Sequence, residues 1–401
     1  MLHVQKYLRS GKTLETLKVE HGIKSYIHNG KIGLTYDQIE AKEQDPLAQQ
    51  CRGLILREAT YDIVACPMFR FFNLEQKETA AEIDWNTASF EDKLDGTLCI
   101  VYWDLKQDKW YVGTRSRPEA DGNIDESDIT FAKLFDLAVK EMNLGNDIQD
   151  LMNRGNQGML QIDKSCTYCF ELTSPFNRIV CDYKKLSITL LAVRDNKTLI
   201  EYPPEVLAAN LKVPAAEKYD FKNINHMIQV VRDWDPKEKE GVVIKDANFN
   251  RIKVKNPSYV AYNHMRDSLS TSYRGCVEVI LLGKEDDIIG MMPDMIANRI
   301  RRLKPLIVEV LRRTQADYDE LKHIEVMKDF ALEAQNKLWP GALFALKRNK
   351  TPDLRTFALG NNNDVAKIPT SSTKNILQLC LKVDPTLKEI ESEIESLTEE
   401  K

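Results

Sequence analysis

The chain has 401 residues, of which 43% are hydrophobic, and a formal net charge of −5 at pH 7. This length predicts roughly two or three domains with substantial cores, and the acidic balance excludes a uniformly basic nucleic-acid-binding protein. We find no apolar run long enough to cross a membrane and no start typical of a signal peptide. The eight cysteines are scattered, mostly in apolar segments, which is typical of reduced thiols. We therefore expect a cytoplasmic protein, in the host cytoplasm if it is viral.

The first two thirds of the chain has the pattern of a strand-rich α+β domain. Short β-branched or aromatic runs recur between turn residues, which favours antiparallel pairing; they begin at residues 53, 61, 97, 109, 168, 186, 241 and 251. Apolar residues three and four apart predict helices over 128–144 and 223–234. After about residue 265 nearly every segment has the helical period. We expect an antiparallel-sheet domain over residues 1–267 and an all-helical domain over 268–401.

A single Cys-x-x-Cys pair is present, formed by Cys166 and Cys169. Such a pair can contribute two ligands to a zinc site, but a structural zinc site needs four. No second pair lies nearby in the sequence. The pattern therefore favours two cysteines of a buried strand over a zinc site.

Lys93 opens the stretch KLDGTLCIVYW, in which a charged side chain directly precedes an apolar run. A lysine becomes a nucleophile when its pKa falls from about 10.4, and burial or neighbouring cations lower it. The pattern Lys-x-Asp-Gly is short, however. Asp95 and Gly96 could simply be turn residues at the start of a strand. The chemical interpretation therefore depends on the other charged residues of the chain.

Further charged residues lie near the ends of predicted strands on both sides of Lys93. They are Arg52, Arg70, Arg115, Arg117, Glu171, Glu240, Lys253 and Lys255. Strand alternation places the last two lysines on one face, and carboxylates are ligands that Mg²⁺ prefers. Together they predict a nucleoside triphosphate site in which cations bind phosphates and lower the pKa of Lys93. Taken singly, the lysine pair could be a solvated strand face and the glutamates ordinary surface residues.

The order of these segments resembles the covalent nucleotidyltransferases, the superfamily of ATP-dependent ligases and RNA capping enzymes. Within it, the chain is most similar to the RNA ligase 1 family, the phage tRNA-repair type, over most of residues 50–265. The matching segments are CRG at 51, PMFRFFNLEQ at 67, KLDG at 93, SPFNRIV at 174, EGVVIK at 240 and KVK at 253. The C-terminal segment matches only faintly, and the family uses that part to select its RNA.

The resemblance implies a role for each matching residue. Lys93 would form the phosphoramidate bond to AMP, and Asp95 and Gly96 would shape its loop. Lys253 and Lys255 would act with it by holding the α-phosphate and the pyrophosphate. Arg52 and Arg70 would contact the nucleotide phosphates or the RNA 5′-phosphate, and Arg115 would be a basic residue of the nucleotide site. Phe72 would pack near the nucleotide, and Tyr36 would stack on the adenine. Glu171 would contact the ribose or the metal, Glu240 would position the metal, and Tyr259 would support the site.

The resemblance also implies an ATP-dependent RNA ligase that uses Mg²⁺, with Mn²⁺ as a substitute. It would join 5′-phosphate and 3′-hydroxyl RNA ends through lysyl-AMP and RNA-adenylate intermediates, in RNA or tRNA repair. The expected substrate is single-stranded or nicked RNA, including tRNA, and a separate end-healing kinase-phosphatase is a candidate partner. Two alternatives stay open. One is a non-catalytic RNA-binding protein of the same fold, and the other is a DNA ligase or capping-type enzyme. The latter usually has a β-barrel where this sequence predicts helices.

Overall fold

A computed structural model describes residues 1–76, 83–124, 127–155, 162–271, 273–290, 292–359, 370–387 and 390 of the chain. The structure divides into two compact units, Met1–Val260 and Ala261–Lys401. The helix Pro257–Thr271 contains both this division and the boundary predicted at residue 267. None of the described helices is both long and apolar enough to cross a bilayer.

The first unit contains fourteen described strands. They are β1 (Ile23–His28), β2 (Lys31–Tyr36), β3 (Arg52–Arg57), β4 (Ile63–Ala65), β5 (Phe72–Asn73), β6 (Ser89–Lys93), β7 (Thr97–Asp104), β8 (Lys109–Thr114), β9 (Cys166–Thr173), β10 (Ser187–Asp195), β11 (Glu201–Tyr202), β12 (Lys218–Tyr219), β13 (Gly241–Lys245) and β14 (Arg251–Lys255). The strands form three sheets: an N-terminal sheet β1-β2-β3-β4, a central sheet β11-β10-β9-β7-β8, and a lysine sheet β12-β6-β13-β14-β5. Pairing is antiparallel except between β14 and β5, so the predicted antiparallel α+β class is confirmed.

The described helices of the first unit, with the one that leads into the second, follow in chain order. They are α1 (His3–Arg9), α2 (Leu14–His21), α3 (Pro46–Gln50), α4 (Phe131–Glu141), α5 (Ile148–Gly155), α6 (Pro204–Leu211), α7 (Ile224–Asp233) and α8 (Pro257–Thr271). The two helices predicted from periodicity are confirmed as α4 and α7. Each begins at a capping side chain: Thr130 accepts the N–H of Lys133, and Asn223 accepts that of His226.

The lysine sheet has one apolar and one polar face. On β14, Ile252 and Val254 are buried in a cluster that includes Met227 and Val231 of α7. Arg251, Lys253 and Lys255 alternate with them and are less buried. The period of two therefore places both lysines on one face, as the sequence predicted. This polar face carries the candidate site.

The stretch around Lys93 connects two sheets. Lys93 is the last residue of β6 in the lysine sheet, and Thr97 is the first residue of β7 in the central sheet. The turn between them is only three residues long, Leu94 to Gly96. Sequence patterning found the buried strand after this turn but missed β6 before it. The motif is thus a crossing point between sheets.

The elements described in the second unit after α8 are all helices, which confirms the predicted helical C-terminal region. They are α9 (Tyr273–Leu281), α10 (Glu285–Ile289), α11 (Asp294–Leu321), α12 (Met327–Ala334), α13 (Pro340–Lys347), α14 (Leu354–Ala358) and α15 (Thr370–Val383). The long helix α11 buries a stripe of aliphatic residues spaced three and four apart, which include Ile296, Ile300, Leu303 and Ile307. This stripe is the centre of the core of the second unit. The end of the predicted helical domain, residues 391–401, lies outside the described residues.

Candidate active site

Two lysines of the candidate site lie side by side across the lysine sheet, on either side of Gly241. Gly241 of β13 pairs with Lys93 of β6 and with Lys255 of β14. The preceding residue, Glu240, bridges them: its Oε2 lies 2.7 Å from the Nζ of Lys93, and its Oε1 lies 2.8 Å from the Nζ of Lys255. Glu240 is only 3% exposed. A buried carboxylate thus holds two cations at fixed positions on the polar face.

The pKa of Lys93 is raised, so the expectation that it would be lowered is wrong. Burial by itself would lower this pKa. The negative charge and hydrogen bond of Glu240, followed by the charges of Glu171 and Asp95, outweigh burial. Lys93 is therefore protonated at neutral pH in this state. The charges and hydrogen bonds of Lys93 and Lys255 lower the pKa of Glu240, although burial alone would raise it.

The lysine with a lowered pKa is Lys253. Burial is the largest cause, followed by the positive charges of Lys93, Lys255 and Arg52, and together they lower its pKa to about 7. A cation held among other cations is stabilised by any anion that enters. Lys253 is therefore well placed to bind a phosphate group.

Asp95 fixes the loop that follows Glu171. Its Oδ2 accepts the N–H groups of Val180 and Cys181 at 2.9 and 2.8 Å, and its Oδ1 accepts the hydroxyl of Tyr259 at 2.7 Å. The N–H of Asp95 itself donates to the hydroxyl of Tyr183 at 3.1 Å. Asp95 is thus a buried anchor rather than a free carboxylate, and Tyr259 supports it directly.

Gly96 completes the motif for a steric reason. A Cβ at this position would lie 2.3 Å from the carbonyl oxygen of Leu172 in β9. No larger residue fits without moving the turn away from β9. The glycine therefore lets the chain cross between sheets directly beside Glu171, the neighbour of Leu172.

Glu171 lies on the central sheet, within electrostatic reach of Lys93. Burial raises the pKa of its carboxyl to about 7, although the charges of Lys93 and Arg52 partly oppose the shift. Its side chain would become fully ionised near a further cation. Mg²⁺ commonly binds one or two carboxylates together with phosphate oxygens, and Glu171 and Glu240 fit that donor set. Both oxygens of Glu240 contact lysines. Glu171 is therefore the better placed of the two glutamates to bind a metal ion.

Three arginines predicted for the site lie around Tyr36 and Phe71. The Cζ atoms of Arg70 and Arg115 lie 4.2 and 5.2 Å from the ring centroid of Tyr36. The Cζ of Arg52 lies 5.2 Å from the ring of Phe71, and its Nη1 is buried without a hydrogen-bond partner among the described residues. Burial lowers the pKa of Arg52. This arrangement favours binding of an anion, while adenine stacking by Tyr36 stays a prediction.

The structure assigns contacts to Phe71 that the sequence did not predict. Its ring centroid lies 5.4 Å from the Nζ of Lys253, in addition to its contact with Arg52. Phe72, the predicted nucleotide-packing residue, is 7% exposed and lies 5.1 Å from the Cζ of Arg70. Both residues therefore border the cationic cluster, which consists of Arg52, Arg70, Arg115, Lys93, Lys253 and Lys255. The only sequence signal for Phe71 was its position beside Phe72.

The sequence also named Arg117 and the pair Cys166 and Cys169. Arg117 contacts Tyr26 and Asp121, with its Cζ 4.4 Å from the Tyr26 ring. Cys166 and Cys169 belong to different hydrophobic clusters on opposite faces of β9, so they do not form a zinc-binding pair. The interpretation of these cysteines as buried strand residues is confirmed.

The three sheets of the first unit, with the lysines, glutamates and arginines of the candidate site on them, fit the nucleotidyltransferase class that the sequence predicted. Comparison with known families gives the family within that class. A family described as RNA ligase matches residues 50–259, a range that contains all the lysines, glutamates and arginines of the cluster. The chain belongs to this RNA ligase family.

Individual relatives are distant. The chain is 28% identical over 309 residues to a protein of Autographa californica nuclear polyhedrosis virus that is named as a bifunctional polynucleotide kinase/RNA ligase. That match covers 74% of this chain but only 42% of the viral protein. An RNA ligase of Rhodothermus phage RM378 is 21% identical over 383 residues, with 81% of this chain and 83% of the phage protein covered.

Two solved structures of RNA ligases show a distant likeness to the chain. An archaeal ATP-dependent RNA ligase is 14% identical, with a TM-score of 0.40, and the match covers 94% of this chain and 89% of that one. A Naegleria gruberi RNA ligase is 15% identical, with a TM-score of 0.37, and the match covers 49% of this chain and 57% of that one.

Proposed function

We propose that this chain is an ATP-dependent RNA ligase that joins 5′-phosphate and 3′-hydroxyl RNA ends through lysyl-AMP and RNA-adenylate intermediates. The observation that carries the proposal is the bridge from Lys93 through Glu240 to Lys255, beside Lys253 and Arg52. It places one potential nucleophile next to several phosphate-binding cations. Membership of the RNA ligase family supports the same reaction.

In the first step the Nζ of Lys93 attacks the α-phosphorus of ATP. The N–P bond forms, the bond to the bridging oxygen breaks, and pyrophosphate leaves. The ammonium group must first lose a proton, and the atom in contact with it is Oε2 of Glu240. Lys253, Lys255 and Arg52 stabilise the negative charge that builds on the phosphate oxygens, which is usually the largest contribution to such transfers.

The second and third steps reuse the same cations. The RNA 5′-phosphate attacks the lysyl-AMP phosphorus, the N–P bond breaks, and the Lys93 amine is regenerated. The RNA 3′-hydroxyl then attacks the activated 5′-phosphate, and AMP leaves as the phosphodiester forms. Storage of AMP on Lys93 divides one difficult condensation into easier steps.

Mg²⁺, with Mn²⁺ as a substitute, would be held by Glu171 and Glu240 and would neutralise phosphate charge when bound. Glu171 suits this role because its raised pKa makes its charge depend on a nearby cation. The side chain of Asp95 is already committed to its anchoring bonds.

The substrate proposed is single-stranded or nicked RNA, including tRNA, in an RNA-repair role in the cytoplasm. The name of the viral relative, a bifunctional polynucleotide kinase/RNA ligase, supports a link between sealing and end healing. The partner we propose is a separate kinase-phosphatase that prepares the ends. The helical second unit, predicted from residue 268 onward, is proposed to select the RNA.

The test is covalent labelling. Purified protein is incubated with Mg²⁺ and ATP labelled at the α-phosphate, and it is separated on a denaturing gel. Wild type should retain the label and Lys93→Ala should not. Lys184→Ala, at a lysine whose side chain is 79% exposed, is the control and should label normally. Label retained by Lys93→Ala would disprove the assignment of the nucleophile.

The same experiment separates the alternatives. A non-catalytic RNA-binding protein would give no label with ATP or GTP. A capping-type enzyme would take its label from GTP. A DNA ligase would label with ATP but would seal a nicked DNA duplex faster than broken RNA of the same sequence.

A further inference from the structure

A cavity of about 600 Å³ lies beside the cationic cluster and is not used by the proposed attack of Lys93 on ATP. Its size is within the usual range of small-molecule sites. Phe71 and Arg70, which border the cationic cluster, also line this cavity. The rest of the wall includes the aromatic side chains of Phe69 and Phe249 and the guanidinium groups of Arg194 and Arg251. Such groups are the ones on which unpaired nucleobases stack.

Phe249 is held in this wall in a strained conformation. Its φ is +62°, in the left-handed region that bulky side chains rarely adopt. The hairpin turn around it is fixed because Oδ1 of Asp246 accepts the N–H groups of Asn248 and Asn250, each at 2.9 Å. Strain of this kind persists where the surrounding structure enforces it, and it is concentrated at ligand sites.

The floor of the cavity carries a buried charged cluster. Glu201 accepts from Arg194 and, at 2.7 Å, from Nη2 of Arg251, and all three side chains are less than one-tenth exposed. The Nε of Arg194 is buried without a hydrogen-bond partner among the described residues. Two arginines share one carboxylate, so the floor keeps a net positive charge. An anionic or strongly polar ligand would be attracted by this positive charge.

We infer that this cavity binds the 5′-terminal nucleotide of the phosphorylated RNA end, with its base stacked on Phe249. The inference rests on the proposed function. The 5′-phosphate would lie among Arg52, Arg70 and Lys253. Arg70 lines the cavity, and so does Phe71, which contacts Arg52 and Lys253. The nucleoside directly attached to that phosphate is therefore the part of the substrate that reaches the cavity.

Stepwise kinetics with the full chain tests the inference. Phe249→Ala should leave lysine labelling by ATP unchanged and should slow AMP transfer to a 5′-phosphorylated RNA by about tenfold, the loss expected for one stacking contact. Phe249→Trp should restore most of the rate. Leu105→Ala, at an exposed apolar residue of the β7–β8 hairpin, is the matched control and should change neither step.

Abasic substrates identify which end is bound. The defect of Phe249→Ala should disappear when the 5′-terminal nucleotide is abasic, because wild type then loses the same contact. It should persist when only the 3′-terminal acceptor nucleotide is abasic. An equal defect on every substrate, or a defect that disappears with the abasic 3′ end, would overturn the assignment.

Two further results separate failure of this inference from other failures. Glycine adopts a positive φ without strain, so Phe249→Gly removes the ring and relieves the backbone strain. If the role of Phe249 is only structural, this variant should seal RNA at the wild-type rate with unchanged or higher thermal stability. That result would overturn the inference. A raised ATP KM in lysine labelling by Phe249→Ala would assign the cavity to ATP and would also overturn it. Absence of label from wild-type protein would instead remove the proposed function, and this inference with it.

Discussion

Lys93 forms an ion pair with the buried Glu240, with Nζ 2.7 Å from Oε2. The pair raises the pKa of the lysine and lowers that of the glutamate. The ion pair therefore keeps the proposed nucleophile in the protonated, unreactive form. Activation must accompany ATP binding, when phosphate oxygens compete with Glu240 for the neighbouring cations.

This relationship predicts the pH dependence of lysine labelling. At saturating ATP the rate reports ionisations of the ATP complex, in which bound phosphate keeps Lys253 charged. The rate should therefore rise about tenfold per pH unit from neutral pH towards the raised pKa of Lys93. Glu240→Gln removes the largest cause of that raised pKa and leaves burial, which lowers it. The rising limb should therefore move to lower pH, while the maximal rate falls because Lys93 is no longer positioned.

Glu91→Gln provides the matched control, because Glu91 pairs with Lys245 on the same face of the same sheet at 2.5 Å. Its labelling profile should keep the wild-type position on the pH axis. A Glu240→Gln profile that superimposes on the wild-type profile would show that the ion pair does not control Lys93.

The positive charge of Lys253 should lower the stability of the folded protein, although the proposed phosphate contact needs it. Its pKa is about 7 in the folded chain, against an ordinary lysine value of 10.5. Lys253→Met removes a buried charge, so the variant should be more stable by roughly 2–4 kcal/mol at pH 6. Labelling by ATP should nevertheless fall sharply because a phosphate contact is lost. Urea unfolding and the labelling assay measure the two effects.

The sign of this effect with pH follows from linkage. Between about pH 7 and pH 10.5 the unfolded chain binds more protons at this lysine than the folded chain, so wild-type stability rises with pH. The advantage of Lys253→Met should be full below pH 7 and should decline as the pH approaches 10. Lys184→Met, at an exposed lysine, should show no such trend. A constant advantage at all pH values would argue against a charged, buried Lys253.

The three hydrogen bonds that Asp95 accepts predict different costs for two conservative substitutions. Asp95→Asn turns an amide N–H₂ towards donors, so it should destabilise the chain by about 1–3 kcal/mol and nearly abolish labelling. Tyr259→Phe removes only one of the three bonds and should cost about 1 kcal/mol. Chemical denaturation compares them directly. Equal stability of Asp95→Asn and wild type would show that the loop after Glu171 does not depend on this anchor.

Much of the site was predictable because its residues lie in regular positions. The alternation of β14 placed Lys253 and Lys255 on one face, and the burial pattern of that strand confirms it. The turn at Asp95 and Gly96 was evident from its residue types. The pKa of Lys93 was not predictable, because its sign depends on which charges surround the amine in three dimensions.

Other features depend on contacts between residues far apart in the chain. The hydroxyl of Tyr183 supports Asp95, which is 88 residues away, and no spacing signals that contact. Strand β6 is short and carries charges on both faces, so it has no period of two; its pairing with β13 defines it. The role of Phe71 likewise depends on sheet pairing, which brings it beside Lys253.

The position of Gly241 between Lys93 and Lys255 leads to a steric prediction. A Cβ at residue 241 would lie 2.1 Å from the carbonyl oxygen of Val254, so Gly241→Ala must push β14 away from β13. We expect a loss of about 1–3 kcal/mol of stability and a loss of labelling larger than the unfolded fraction explains, because the bridge through Glu240 is stretched. Val243→Ala, on the same face two residues along β13, is the control and should label normally. Wild-type labelling by folded Gly241→Ala would show that the spacing of the two lysines is not critical for AMP transfer.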